Sequence, residues 1–461
     1  MNRYLLLLLI LGCIACESNK ATSNSIYFAG EIVNPTDEYV VLFKGGAVID
    51  SAKLDGNNRF SFNLDLIADG LYHFNHAPEY QYVYLEKGDS LLVRLNTQDF
   101  DESLVFSGTN EEVNNFLLEL FLANEEEESI IRNEFFSFKA ADFQREINAL
   151  ANAKIKALNA IKLESGLSEK AYKIAKASID YTYFGYKEIY PFEHKRKLKK
   201  NTLLAVTDDF YAYRKNIDYN NENLIYLRPY YDFMKSHFGN LSYMTCSEYC
   251  GINGNVVHNQ LHFNKHKLYL IDSLVVEKEL RDNLFRNVAF NYLLKEHDAP
   301  DNNKIFLDEF QKVSQNNMHI EEIENLYNGI RNIQPKKEIP AISVIGFNGN
   351  ATTLPEIGKQ KKVVFYFWSA TNKNHYKNIF ERVAKLEELK KDHTFVGINI
   401  KTEQNNWEGI ITSFNLNRAN QFRTDDFEGI TNQLVIYPMN KCIITDDAII
   451  IDAFSNIYRS I

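Results

Sequence analysis

Residues 363–376 read VVFYFWSATNKNHY, and this stretch decides the fold of the C-terminal part of the chain. Val363 to Trp368 form an unbroken apolar and aromatic run with no polar alternate positions, the pattern of a strand buried on both faces. From Tyr376 the period changes. Ile379, Val383, Leu386 and Leu389 recur at three- and four-residue spacing, which predicts a helix with one apolar face. Asn372 stands just before that helix and suits its cap, where a side-chain oxygen accepts a backbone N–H that the first turn leaves free.

Working outward, residues 394–400 (TFVGINI) predict a second strand and 407–414 a helix. Residues 441–445 and 449–454 predict two further strands joined by Asp446 and Asp447. Strand, helix, strand, helix, strand, strand in that order implies a small α/β domain with a mixed sheet over 339–461, entered through the linker PKKEIP at 335–340. Residues 109–334 carry helical period. Leu117, Leu118 and Phe121 begin it, and Ile147, Leu150, Ile155, Leu158 and Ile161 continue it. Within this region NEEEES at 124–129 reads as a polar break. One helix is expected over 268–294, with others over 305–315 and 320–332. Residues 25–108 are β in pattern. Phe60, Phe62 and Leu64 alternate at period two, and turns are signalled by Asn34-Pro35, Asp55-Gly56 and Gly88-Asp89. Short, evenly spaced strands imply a sandwich. The fold class is therefore multidomain α+β: an N-terminal β-sandwich, a helical middle domain and a C-terminal α/β domain.

The C-terminal domain resembles the thioredoxin superfamily, in particular its envelope-anchored thiol-disulfide oxidoreductases. The likeness rests on an ordered set: residues 339–349 (IPAISVIGFNG) as an opening strand and turn, 354–357 (LPEI) before the central strand, Phe367-Trp368 at its end, and Tyr437-Pro438 at the family's cis-proline. Active members place Trp-Cys-X-X-Cys after the central strand. Here those positions read Thr371-Asn372-Lys373-Asn374-His375, so Asn372 stands for the nucleophilic cysteine and His375 for the resolving one. The family's reaction needs a thiolate, stabilised at a helix N-terminus, and a second sulfur to resolve the mixed disulfide. Asn372 and His375 are degenerate active-site positions without sulfur. The resemblance thus implies a thioredoxin-like fold acting as a binding or scaffolding module, with Pro438 beside a backbone suited to an extended peptide. A second reading stays open: a thiol-disulfide oxidoreductase that keeps its chemistry through other residues or through a partner's thiols. The N-terminal and middle regions resemble the accessory half of a group of envelope lipoproteins, through YLEKGDSL at 84–91, Phe106-Ser107-Gly108 and Asn114-Asn115-Phe116-Leu117. No chemistry is carried over for that half.

At the N-terminus, Arg3 precedes a short apolar run at 5–11, followed by Gly12-Cys13-Ile14-Ala15-Cys16. This resembles the lipobox of bacterial lipoproteins, with a signal peptide over 1–16 and lipid attached at Cys13 or Cys16. The run is far short of the ~20 residues that span a bilayer. The expected location is the cell envelope, lipid-anchored at the outer membrane on its periplasmic or surface face, with the membrane itself a partner through the lipid. The net charge of −10 disfavours nucleic acid as a partner, and HKRKLKK at 194–200 reads as a solvated helix face.

Export implies an oxidising compartment. Cys246, Cys250 and Cys442 are the cysteines beyond the signal. Cys246 and Cys250 are candidates for a disulfide. With His258, His262 and His266, spaced as one helix face, they also form a candidate metal set. Asn253, Gly254 and Asn255 interrupt that segment, and the spacing fits no zinc motif, so no metal is expected. Cys442 reads as a small core residue within a strand. The aromatic surplus, including RPYYDF at 228–233, reads as core. No phosphate-loop, dinucleotide or hydrolase signature occurs in a suitable context, so no cofactor is expected.

Overall fold

The computed structural model describes residues 25–65, 67–246, 248–253, 256–296, 298–401, 404–436 and 438–459. The signal segment 1–16, with Cys13 and Cys16, lies outside the described residues, as does Tyr437.

Eight strands come first: β1 (Ile26–Val33), β2 (Tyr39–Lys44), β3 (Ala47–Lys53), β4 (Arg59–Leu64), β5 (Gly70–His76), β6 (Glu79–Leu85), β7 (Ser90–Asn96) and β8 (Val105–Gly108). They form two four-stranded sheets, ordered β4-β1-β7-β8 and β3-β2-β5-β6. The period-two residues of β4 bury Phe60, Phe62 and Leu64 and expose their neighbours. Phe28, Phe62 and Leu91 of one sheet share a core with Leu42, Phe74 and Val83 of the other. Phe28 stacks on Phe62 with ring centroids 6.1 Å apart and meets Phe74 across the sheets at 5.5 Å.

Strands β6 and β8 each end a sheet, and an edge strand presents unpaired N–H and C=O groups. The helix that follows, α1 (Glu111–Asn133), meets both edges with two adjacent side chains. The Asn114 carboxamide accepts from the Tyr84 N–H at 2.7 Å and donates to the Tyr84 carbonyl at 3.0 Å. Asn115 makes the same pair with Phe106, at 2.9 and 3.0 Å. Each amide thus takes the place of one peptide unit of a neighbouring strand.

Helix α1 runs unbroken through NEEEES, contrary to the break expected there. Glutamate is a good helix former, and these carboxylates find partners: Glu127 accepts from the Tyr183 hydroxyl at 2.6 Å and pairs with Lys154 at 3.0 Å, while Glu128 pairs with Arg132 one turn on. Helices α2 (Ala140–Ser165), α3 (Glu169–Lys197) and α4 (Arg228–Thr245) follow. Helix α2 ends at Gly166, whose φ of 70° is the left-handed C-cap that glycine adopts freely. The solvated face expected at 194–200 holds except at its first residue. His194 is buried, with Nδ1 2.9 Å from the Phe136 carbonyl.

The single helix expected over 268–294 is two helices, α5 (Gln260–Leu274) and α6 (Lys278–Asn291). The Asn220 side chain takes the backbone N–H groups of Val276 and Glu277 at 2.6 and 3.0 Å, and the Glu277 carboxylate then caps α6 through the N–H of Leu280 at 2.6 Å. Helices α7 (Pro300–Val313) and α8 (Ile320–Asn332) complete the helical stretch. By packing, the described residues up to 258 form one unit with 270–281, and 259–269 form another with 282–459. Among the described residues, no helix is long and apolar enough to cross a membrane.

The C-terminal stretch contains β9 (Ser343–Gly346), β10 (Ala351–Thr353), α9 (Leu354–Gly358), β11 (Lys362–Trp368), α10 (Lys373–Leu389), β12 (Thr394–Ile400), α11 (Gln404–Ser413), β13 (Gln421–Thr424), α12 (Phe427–Leu434), β14 (Lys441–Asp446) and β15 (Ile449–Asn456). Seven strands form one mixed sheet, ordered β10-β9-β13-β12-β11-β14-β15. Strand β11 runs parallel to β12 and antiparallel to β14. Its residues from Val363 to Trp368 are all buried. Val364, Tyr366 and Trp368 share a core with Ile379, Phe380 and Val383 of α10 and Trp407 of α11. Helix α12 packs against α8, and a Cβ placed on Gly329 would lie 2.4 Å from the Asn432 carbonyl oxygen, so this crossing requires glycine.

Replacing Asn114 by Ala strands a buried N–H and C=O of Tyr84. We expect Asn114→Ala to lower unfolding free energy by roughly 2–4 kcal/mol, and Asn115→Ala, which is partly solvated, by about 1 kcal/mol. Guanidinium titration followed by circular dichroism measures both.

Candidate functional site

The C-terminal end of β11 delivers the chain into the first turn of α10, where Asn372 and His375 stand. The Asn372 side chain accepts from the His375 N–H at 2.9 Å and caps the helix. Such a cap contributes about 1 kcal/mol. The His375 ring hydrogen-bonds to the backbone of Met439, while its Nε2 is buried with no hydrogen-bond partner. Burial holds the imidazole below its ordinary pKa, and the Met439 bond works weakly in the other direction. The ring is therefore neutral near pH 7, with one nitrogen unused.

Met439 follows Pro438, so the loop before β14 and the first turn of α10 come together. His375, Pro438, Met439 and Asn440 line an open depression of about 670 Å³, rimmed by Glu381 and Arg382 of α10 and by Tyr458. Arg382 is tied down, its Nε donating to the Ile457 carbonyl at 3.0 Å. The isomer of the bond before Pro438 falls on Tyr437, outside the described residues.

The Cys442 thiol is not among the groups that line this depression. Cys442 lies within β14, buried, with Sγ 3.4 Å from the Ser455 carbonyl. Burial pushes its thiol up to about 12, and nearby Asp452 adds to this, so it is protonated at neutral pH and no nucleophile. Beside it, the Lys441 ammonium donates to the carbonyls of Leu434 and Val435 at 2.6 and 2.9 Å, at the C-terminus of α12. Burial nonetheless pushes that amine down to about 7.

Cys246 and Cys250 are joined as a disulfide with Cα atoms 6.1 Å apart. Helix α4 stops at Thr245, and a single 3₁₀ turn spans Glu248–Cys250, which gives the irregular backbone such close spacing needs. The three histidines do not share one helix: His262 and His266 lie on α5, but His258 precedes it. With both sulfurs bonded to each other, the candidate metal set has no thiolate to offer.

One polar cluster was not foreseen. Glu188 of α3 is fully buried. It accepts from Tyr213 at 2.8 Å, from Arg214 at 2.9 Å, from Asn240 at 2.8 Å, and it faces His237 Nδ1 at 2.8 Å. The far nitrogen of His237 meets the Tyr219 hydroxyl at 2.8 Å. Burial works to raise the Glu188 pKa, but the bonds from His237 and Arg214 outweigh it and hold the carboxyl below its usual range. Each carboxylate oxygen is satisfied, so the cluster fixes α3, α4 and the 208–216 segment rather than offering a reactive group.

No protein-family model and no curated protein matches the chain. Among solved structures it is similar to the thioredoxin domain of a thiol-disulfide oxidoreductase from Bacteroides vulgatus, at 21% identity over 25% of this chain and 85% of that chain, with a TM-score of 0.22. A thiol:disulfide interchange protein from Bacteroides sp. matches at 22% identity over 25% of this chain and 78% of that chain, TM-score 0.23. A thioredoxin-like protein from Bacteroides caccae matches at 10% identity over 53% of this chain and 86% of that chain, TM-score 0.34. At these values the likeness decides neither family nor function.

Because the folded pKa of His375 lies below the ordinary 6.5, the unfolded chain takes up its proton first as pH falls. This histidine's contribution is therefore complete above pH 6.5 and is lost progressively below it, down to the folded pKa. We expect His375→Gln to lose less stability than the native chain between about pH 7.5 and pH 5.5, measured by urea unfolding at both values.

Proposed function

We propose that this chain is a lipid-anchored protein of the cell envelope whose C-terminal domain is a thioredoxin-like module that binds without redox chemistry. The observation that carries this reading is the first turn of α10. There Asn372 spends its side chain on the helix cap, and His375 turns its ring to Met439 beside Pro438. A disulfide exchange needs a thiolate at the first of these positions and a second sulfur to resolve it. The depression that His375 lines is open and has both a proline-bordered backbone and a polar rim, features suited to an extended peptide of a partner protein. Anchoring rests on Arg3, the apolar run and Cys13 or Cys16.

With the full chain in detergent, dithiothreitol is expected to reduce insulin disulfides only at the uncatalysed rate. The double variant Asn372→Cys with His375→Cys is expected to gain turnover, since it places a dithiol at the start of α10, where the free N–H groups of the first turn favour a thiolate. Catalysed reduction by the native chain that disappears in Cys442→Ser contradicts the reading.

In bacterial cells the native chain is expected in the detergent phase of a Triton X-114 separation. One of Cys13→Ala and Cys16→Ala moves it to the aqueous phase. Aqueous partition of the native chain rules out the anchor.

A further inference from the structure

The two edges held by α1 are not closed along their whole length. Asn114 receives the N–H and C=O of Tyr84 on the outer side of β6. In an antiparallel pair these groups point outward at every second residue. Tyr82 and Tyr80, opposite His73 and Asn75 of β5, therefore present their N–H and C=O to the same side. Among the described residues these four groups have no hydrogen-bond partner. They do not face open solvent across a flat surface. They line a cleft of about 610 Å³ whose opposite walls are α1, α3 and α4, with Leu117, Leu120, Phe121 and Ile189 supplying apolar surface.

The charges of the cleft are uneven. Its basic side chains are spoken for: Lys154 by Glu127, Arg132 by Glu128, and Arg228 and Lys235 by Asp232. Glu79, at the start of β6, Asp101 and Glu125 also line the cleft and have no ion-pair partner among the described residues. They lie close enough to repel one another: burial first, then Glu125, Glu102 and Glu79, raise the Asp101 pKa. An occupant bringing a cation to that end relieves this repulsion.

We propose that the open edge of β6 binds an extended peptide segment as an added strand, with a Lys or Arg of that segment set against Glu79, Asp101 and Glu125. The exposed groups of Tyr80 and Tyr82 call for a ligand with N–H and C=O at strand spacing. The apolar walls receive alternate side chains. A second folded copy is disfavoured as occupant, because it would have to bring a whole sheet edge between β6 and three helices. The inference rests on the N-terminal unit alone and stands or falls independently of the C-terminal depression.

The test uses the full chain in detergent and a peptide labelled at its N-terminus, fluorescein-Thr-Val-Lys-Val-Thr-Val-amide, read by fluorescence anisotropy. Two N-methylated forms block alternate backbone N–H sets. Only one set can face β6, so one form is expected to bind about tenfold or more weakly while the other is nearly unaffected. This comparison leaves the protein untouched and does not depend on a variant folding. Replacing the peptide's Lys by Glu is expected to weaken binding about tenfold, a penalty that shrinks severalfold in Asp101→Asn with Glu125→Gln. Hydrogen exchange at the Tyr80 and Tyr82 amides slows when the unmodified peptide is bound. Equal binding of both methylated forms, no preference for Lys over Glu, or no anisotropy change at about millimolar peptide overturns the proposal. Self-association of the chain through β6 that peptide cannot compete away also overturns it.

Discussion

Backbone polar groups at sheet edges and helix starts must find partners when water is excluded, and in this chain carboxamide side chains supply them at the decisive places. Asn114 and Asn115 satisfy the last strands of two sheets from adjacent positions on one helix. That bond set fixes where α1 leaves the β region and, through α1, where α3 and the Tyr183 contact lie. Asn372 satisfies the first turn of α10. Asn220 ends one helix run and so sets the start of the next. An asparagine amide has the donor and acceptor of a peptide unit, and it can be placed where a strand or a further helical turn cannot go.

The places where such satisfaction stops are the places with capacity for a ligand. Past Asn114 the β6 edge is open at Tyr82 and Tyr80, inside a walled cleft rather than on a free surface. At α10 the cap is complete, but His375 keeps a buried nitrogen without a partner beside the Pro438 loop. The buried Glu188 cluster shows the contrast. It is richer in titratable groups than either place, yet its members satisfy one another and it works as a fixed joint.

Much of this was legible from residue pattern. The apolar run at 363–368 specifies a strand with both faces covered, because a half-buried strand would alternate. The period of Ile379, Val383 and Leu386 specifies the helix after it. The Asn372 cap follows from residue type and place. What stayed hidden depends on contacts between residues distant in sequence. NEEEES resembled a break because its partners, Lys154 and Tyr183, lie on other helices. The division at 275–277 comes from Asn220, more than fifty residues earlier. Glu188 could not be told from any other helix glutamate without Arg214, His237 and Asn240 around it. The cleft at β6 likewise needs three helices to exist.

The chemistry at α10 turns on where sulfur is and in what state. Cys442 is enclosed and its thiol held protonated, and Cys246 and Cys250 are bonded to each other. Isotope-coded alkylation of the native chain in glutathione buffers of graded redox potential, read by mass spectrometry, tests this most directly. The account predicts that Cys442 stays unmodified and unlinked at every potential until the chain is denatured, and that of Cys246, Cys250 and Cys442 the first two alone change state. A mixed disulfide on Cys442 in the native chain contradicts it.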